Sequence, residues 1–428
     1  MEVEDMQRTK KKHTALIIVV CLLFIAAIAV CIFSHFGGFG TGETADTEEF
    51  AKYSASVLEI AIPEGTQIVA LGEATHGNSE FQQLKLNVFR TMVEKYGVRA
   101  FALEGDFGGC EVVNRYIHGG EGTAREAAAA IGFAIYRTQE TEDLISWMRS
   151  YNETAPKGED LRFYGFDMQR YANNYRYLLE AAQDAGLDTS ELEAVWDEDK
   201  DSYKQEYSSK ELKKIIKGVR KQLPAQDAQA LHFADIMLQN LEISGEANDN
   251  AGYIALRDRL MAENTMWVLD QEKARGNECI FIAGHNGHVE QNGSYDKDNK
   301  VMGALLADEL GDGYFAIGTD FYKTSCNLPK MGGSRKTHTF YSHDPLAKAS
   351  KECGLMISYL DFANIPDVSP LKAQTEDYTW MGSLGEGYNF LMALIPRTYR
   401  VWRSPAETYD AMIFVTDAHP TEIKPIAE

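Results

Sequence analysis

No G-x-S-x-G pentapeptide occurs anywhere in the 428 residues, so the usual strand-to-helix serine elbow of hydrolases is absent. H-E-x-x-H, the Walker phosphate loop and a strand-linked G-x-G-x-x-G are missing too, which removes the common signatures of zinc proteases, nucleotide hydrolases and dinucleotide enzymes. Basic residues are scarce: 42 Lys and Arg stand against 64 Asp and Glu, a formal charge of −22. A nucleic-acid protein needs a basic footprint to displace counterions, so nucleic acid is not an expected partner. There are only six cysteines and no C-x-x-C pair, so no thiolate metal site is legible. Two of them, Cys21 and Cys31, fall in the N-terminal apolar run; Cys110, Cys279, Cys326 and Cys353 are widely spaced and fit either two disulfides or buried free thiols.

What the chain does have begins at its N-terminus. Arg8, Lys10, Lys11 and Lys12 precede an uncharged run from Ala15 to Phe33, which as a helix spans roughly 28 Å, close to the hydrocarbon thickness of a bilayer. The run is longer than a signal-peptide core and no small-residue cleavage site follows it, so an uncleaved single-pass anchor is expected. The basic flank places residues 1–12 in the cytoplasm, the anchor over 13–36, and the rest of the chain outside the cell membrane. "GGFGTGETADTEE" reads as a flexible tether over 37–52, leaving 53–428 as the catalytic domain.

Within that domain, β-branched or aromatic runs alternate with helical stretches: "TQIVALGE", "GVRAFALEGD", "LRFYGFDMQ", "NECIFIAGHNGH", "GYFAIGTDF", "GLMISYLDF" and "YDAMIFVTDAH". The pattern predicts an α/β fold with a largely parallel central sheet flanked by helices. From about 188 to 275 the chain turns Glu-, Lys-, Gln-, Leu- and Ala-rich, with Pro224 as a break, which predicts a helical insertion over a crevice. Nearly every strand run ends on polar groups: Glu73 and His76, Glu104 and Asp106, Asp167, His285 and His288, Asp320, Asp361, Asp417 and His419. In parallel sheets ligands bind beyond the carboxyl ends of strands, so these groups are expected to converge. Asp320, Asp361 and Asp417 also suit turn or cap positions.

In "IVALGEATHGNSEF", Gly72 and Gly77 allow tight backbone geometry and Asn78 or Ser79 can cap the following helix. His76 then lies near a helix N-terminus, where the dipole disfavours imidazolium while Glu73 and Glu104 favour it. A neutral ring there is a general base for water. In "AGHNGH", His285 and His288 are spaced to act as base partners, oxyanion donors or metal ligands.

"LGEATHGNSEFQQLKLNVFRTMVEKYGVRAFALEGDFGGCEVVNRYIHG" resembles the opening core of the erythromycin esterase family, and "YRTQETEDLISWMRSYN", "FYGFDMQ", "RDRLMAEN", "AGHNGHVE" and "SPAETYDAMIFVTDAHP" follow in the collinear order expected, from about 45 to 420. The resemblance implies hydrolysis of a small-molecule ester or lactone without a metal or other cofactor. It makes His76 the base, Glu73 and Glu104 its partners, and His285, His288 and Arg257 the groups that polarise the carbonyl. Lys85, Asp106, Tyr136 and Asp167 complete the expected set as substrate-binding residues, with Lys85 and Arg90 at positively charged family positions and Tyr136 where an indole is common in relatives. Family members that inactivate antibiotics resemble soluble intracellular enzymes, whereas this chain carries a membrane-length run. A metal-dependent hydrolase or peptidase built on the same His and Glu residues, and a non-catalytic surface binding module, are the alternatives.

Overall fold

Along Ile68–Glu73 every side chain is buried, and successive residues divide between two cores: Ile68 and Ala70 pack on one face, Val69 and Leu71 on the other. The segments Ala100–Asp106 and Ile280–His285 split in the same way, with Phe101 and Phe281 on the side of Val69 and with Ala102 and Ile282 on the side of Ile68. Strands with two apolar faces belong in the middle of a sheet covered by helices on both sides. The computed structural model, which describes residues 2–35, 44–247, 249–330, 333–393 and 395–426, has that arrangement.

In chain order the strands are β1 (Ser54–Ala55), β2 (Ile68–Glu73), β3 (Ala100–Asp106), β4 (Arg162–Asp167), β5 (Trp196–Asp197), β6 (Ser202–Tyr203), β7 (Ile280–His285), β8 (Tyr314–Pro329), β9 (Arg335–Tyr341), β10 (Ile357–Asp361), β11 (Thr379–Gly382), β12 (Arg400–Arg403) and β13 (Ala411–Ala418). The main sheet runs β1-β10-β13-β8-β2-β7-β3-β4, with β9 paired to β8; β5 with β6 and β11 with β12 form separate two-stranded ribbons. From β13 through β4 all neighbours are parallel. The expected α/β class and largely parallel sheet are therefore present, and all seven runs read from the sequence enter it.

Three expectations need correction. β10 pairs antiparallel with β13, and Asp361 lies opposite Ala411 at the start of that strand, so it emerges at the edge away from the other strand-end groups. There it accepts from the backbone N–H of Ala363 in a turn. Second, the tether does not extend to residue 52: Asp46 caps a helix over Thr47–Tyr53, and Phe50 is fully buried against Phe414. An acidic run reads as solvated, but here its carboxylates sit in a first helical turn, where the macrodipole favours them. Residues 37–43 lie outside the described residues. Third, β9 went unread, because "RKTHTFY" is charged and only half-buried.

Between 188 and 275 lie the β5–β6 ribbon and four helices, Ser190–Ala194, Ser209–Gln222, Ala228–Ile243 and Asn250–Ala274. The third begins just past Pro224, and the second starts on a reciprocal cap in which Ser208 and Glu211 satisfy each other's backbone N–H groups. At the N-terminus, Glu2–His35 is one helix, and Lys12–Phe33 is long and apolar enough to cross a membrane. Cys110, Cys279, Cys326 and Cys353 are all free thiols.

Gly72 sits where β2 meets the short helix Asn286–Val289, and a Cβ there would collide with the Asn286 amide. That amide bridges to the next strand, donating to the Thr319 carbonyl at 2.7 Å and accepting from the Thr319 N–H at 3.2 Å. Gly72→Ala is accordingly expected to destabilise the fold by about 1–3 kcal/mol through overpacking. Denaturant unfolding of the detergent-solubilised chain checks this, and an unchanged midpoint would mean the contact yields freely.

Candidate active site

The turn after β2 is fixed by neighbouring strands. Ala74 donates its N–H to Thr319 Oγ1 at 2.9 Å, and Asn327 of β8 donates to the Gly77 carbonyl at 3.1 Å. Gly77 has no room for a side chain, since a Cβ would lie 2.7 Å from the Asn327 carbonyl oxygen. Asn78 occupies the N-cap position of the helix Ser79–Tyr96 but makes no side-chain cap; its amide donates instead to the carbonyls of Ser325 and His419, at 2.9 and 3.0 Å. The turn is thereby stitched to β8 and to the end of β13.

Glu73 and His76, three residues apart, face each other across this turn. Glu73 Oε1 lies 2.7 Å from His76 Nδ1, while Lys85 Nζ donates to Glu73 Oε2 at 2.8 Å. Lys85 also donates to Gln82 Oε1 at 2.8 Å, and both come from the inward face of the helix Ser79–Tyr96. The Glu73 carboxylate thus bridges a buried ammonium and an imidazole.

Next to it, β7 carries His285 in register with Glu73. Glu104 Oε2 accepts the His285 backbone N–H at 2.8 Å, and Glu104 Oε1 accepts from Arg257 Nη2 at 2.8 Å. The same Nη2 donates to Asp167 Oδ2 at 2.6 Å. Arg257 comes from the helix Asn250–Ala274, whose following residue, Asp258, is fully buried with Oδ1 2.6 Å from His288 Nδ1. His288 Nε2 faces Arg257 Nη1 at 3.2 Å and Glu104 Oε1 at 3.4 Å. The rings of His76 and His285 are 5.0 Å apart, and those of His285 and His288 6.3 Å. The two histidine clusters therefore meet, as their strand-end positions suggested.

The three imidazoles are shifted in different directions. Burial alone would depress His76, but the Glu73 carboxylate, by charge and hydrogen bond, and Glu104 outweigh it and raise its pKa. The nearer carboxylates thus prevail, in the direction expected of Glu73 and Glu104. Burial would likewise lower His288, yet Glu104 and Asp258 raise it. His285 goes the other way: burial, helped by the charges of His76 and His288, pushes it down to about 3. Its Nδ1 accepts the Gly287 N–H at 3.2 Å, so the neutral ring carries its proton on Nε2, and that buried nitrogen has no hydrogen-bond partner among the described residues. Burial would raise both glutamates, but Lys85 and His76 hold Glu73 low, and His288 and Arg257 hold Glu104 far below the usual carboxylate range.

A cavity of about 450 Å³ opens over this cluster, lined by His76, Glu104, Asp167, Arg257, His285 and His288, with Phe133, Ala134, Ile135, Gln169, Arg170, Gly385 and Glu386 forming its walls. Its chemistry can be stated from the geometry: an imidazole with one nitrogen committed to a carboxylate, an unpaired N–H donor beside it, and a guanidinium.

Of the expected site residues, all but four line this cavity. Glu73 and Lys85 lie behind His76 as its support. Asp106 is a structural acid: it caps the helix Phe107–Ile117 through the Gly109 N–H at 2.7 Å and takes a second bond from Asn174 at 3.0 Å, while burial lifts it to about 7. Tyr136 is also buried, donating its hydroxyl to the Glu104 carbonyl at 2.8 Å, so it shapes the floor and not the pocket surface. Arg90 is an exposed helix residue paired with Glu94. Asp258, Gln82, Arg170 and Glu386 were not singled out from the sequence. Asp258 had a signal, adjacency to Arg257 in "RDRLMAEN"; the others had none.

The sequence profile of the family described as erythromycin esterase matches residues 93–418. The chain belongs to the erythromycin esterase family. A similar relative is the erythromycin esterase type II of Escherichia coli, 25% identical over 349 residues that cover 71% of this chain and 82% of the relative. Among solved structures, a succinoglycan biosynthesis protein superposes with a TM-score of 0.71 at 19% identity, over 88% of this chain and 98% of that one. An erythromycin esterase mutant in its open conformation superposes with a TM-score of 0.54 at 16% identity, over 85% and 93% of the two chains. These likenesses show the same fold, and family membership makes the chain a hydrolase.

In this erythromycin esterase family site, the raised pKa of His76 depends on the negative charge of Glu73. Glu73→Gln removes that charge and leaves Lys85 unopposed, so the His76 midpoint should move to lower pH. Histidine-ring NMR titration reads it directly; an unmoved or higher midpoint would show that another group holds the proton.

Proposed function

We propose that the chain is a membrane-anchored hydrolase that cleaves a carboxylic ester or lactone with water activated by His76. The observation that carries this reading is the pairing of His76, backed by Glu73, with the unpartnered Nε2–H of His285 in one cavity. The name of the Escherichia coli relative, erythromycin esterase type II, supports an ester or macrocyclic lactone as the substrate class.

Glu73 takes the Nδ1–H of neutral His76 and leaves Nε2 as the proton acceptor on the cavity side. His76 Nε2 removes a proton from water, and the resulting hydroxide adds to the carbonyl carbon, moving the π electrons onto oxygen. The oxyanion then accepts the His285 Nε2–H and lies in the positive field of Arg257 and His288. When the tetrahedral intermediate collapses, the carbon–oxygen bond to the leaving group breaks and His76 returns the proton to that alkoxide. The products are the acid and the alcohol. Because His76 has a raised pKa, the rate should climb with pH through that value, as imidazolium becomes the free base.

A metal-centred alternative would need these same acids as ligands. Glu73 and Glu104 are already engaged by Lys85 and Arg257, and a divalent cation would have to compete with both. This favours water activation by imidazole. The membrane part of the reading rests on the Lys12–Phe33 span with its basic N-terminal flank, which favours a cytoplasmic N-terminus and an external catalytic domain.

An ester and lactone panel that includes macrocyclic lactones, run on the purified chain before and after chelation, tests the chemistry. Hydrolysis should survive chelation and fall about 10²–10⁴-fold in His76→Ala. His285→Ala should lose about 10²-fold in kcat, in the range of one oxyanion donor, and Glu104→Gln should lose less than His76→Ala. Undiminished turnover in His76→Ala would reject the base assignment. Orientation has its own test: protease added outside intact cells should digest the catalytic domain, and protection that vanishes on lysis would reverse the topology.

A further inference from the structure

Outside the cavity, the chain gathers large apolar side chains on one exposed region. β11 and β12 pair so that Trp380 lies opposite Trp402, with ring centroids 5.1 Å apart, and Tyr378 lies 6.2 Å from Trp402. Trp402 is 47% exposed and Tyr378 52%, while Met381 on the alternate face of β11 is buried. Arg397, from the short helical turn Pro396–Tyr399, places its guanidinium 5.2 Å from the Trp380 ring. The connection between β11 and that turn exposes Phe390 to 69%, together with Leu391 and Ile395. A soluble surface seldom groups this many apolar residues without a partner.

The partner is indicated by the N-terminal helix, which touches the same Pro396–Tyr399 turn. Along Lys12–Phe33 all side chains are exposed except Ile28 and Cys31, which are half-buried. These two are three residues apart, on one helix face, and near the end of the span farthest from the basic flank. The contact with the domain therefore falls at one boundary of the apolar span. Tryptophan and tyrosine prefer that depth, where an apolar ring meets lipid while its polar atom stays in the headgroup layer, and an arginine beside them can reach phosphate.

We propose that Tyr378, Trp380, Phe390, Leu391, Ile395 and Trp402 form an interfacial patch that seats the catalytic domain on the bilayer its own helix crosses. The inference rests on the anchor reading above. Gly385 and Glu386, in the same connection, form one wall of the cavity, so seating the patch holds the mouth of the site at a fixed place beside the membrane.

The chain has five tryptophans, of which Trp147, Trp196 and Trp267 pack against the cores. Full-length protein is reconstituted in phosphatidylcholine vesicles, with and without bromine on the acyl chains. Bromine should quench the emission contributed by Trp380 and Trp402, and replacing both with Phe should abolish that quenched part. Phe390→Ser with Leu391→Ser should reduce quenching while the circular dichroism spectrum is retained. Alkaline carbonate extraction of the same vesicles reports the anchor separately: a chain that washes off overturns both readings, whereas one that stays embedded with unquenched emission overturns the patch alone. A patch that seats a second copy would leave the emission insensitive to bromine in a chain that runs as a dimer, which also overturns the proposal.

Discussion

Two buried cations, Lys85 and Arg257, pair with the acids that lie beneath the cavity. Burying a carboxylate without a counter-charge costs several kcal/mol, so Glu73, Glu104 and Asp167 can sit under the cavity only because Lys85 holds the first and Arg257 the other two. Asp258 adds a fourth acid. Four acids thus lie with two cations and three imidazoles. Two of these, His76 and His288, have raised pKa values, and the third, His285, is driven down to about 3. Chemically identical side chains thus differ in their nearest carboxylates: Glu73 lies against the His76 ring and Asp258 against the His288 ring, whereas the His285 ring nitrogens contact neither.

The sheet makes this sorting geometrically possible. β2, β7, β3 and β4 are parallel neighbours, so their carboxyl ends open on one edge and Glu73, His285, Glu104 and Asp167 arrive together. The fit is improved by a local break in the ladder. β3 pairs with β7 only as far as Leu103, and its register with β4 shifts between Leu103 and Asp106. At that point the Glu104 side chain takes over as acceptor for the His285 N–H, where a continued strand would have offered a carbonyl. Gly284 leaves the space it needs, since a Cβ there would lie 3.1 Å from Glu104 Oε2. An irregularity of this kind re-aims a side chain at the cost of one backbone pairing, and such breaks concentrate beside functional sites.

Much of this was legible beforehand because buried parallel strands declare themselves. "IVALG", "AFAL" and "CIFIAG" have no polar face, and a strand of that type that stops on acids and imidazoles can open only at a sheet edge. Strand direction was not legible: "GLMISYLDF" looks like the rest, but its reversal sends Asp361 to the far edge. Side-chain aim was the second gap. Asp106 lies two residues past Glu104 and has the same chemistry, yet its carboxyl turns into a helix cap, a choice made by the Gly109 N–H and by Asn174, which lies on another helix outside the quoted blocks. The opposing influences expected on His76 are decided by distance as well. A helix terminus contributes a partial charge at some distance, whereas the Glu73 carboxylate is a full charge at 2.7 Å.

The cavity walls obey a different logic from its floor. The floor groups sit at strand ends, in the turn after β2, on the short helix Asn286–Val289 or on the helix Asn250–Ala274, and are cross-linked by ion pairs, so their separations are set by the scaffold. The walls come from short irregular stretches: Phe133 to Ile135 ahead of a buried Tyr136, Gln169 and Arg170 after β4, and Gly385 with Glu386 in the connection after β11. Apolar and charged groups are interleaved there: the Arg170 guanidinium lies 5.3 Å from the Phe133 ring, and Glu386 lines the same cavity. Loops on a rigid scaffold can change composition without disturbing the sheet that positions the chemistry. A family can therefore keep one His-and-carboxylate floor while its members admit different substrates. The sequence motifs concentrate on the floor and not on these walls, and motifs of that kind point to a reaction type more sharply than to a substrate.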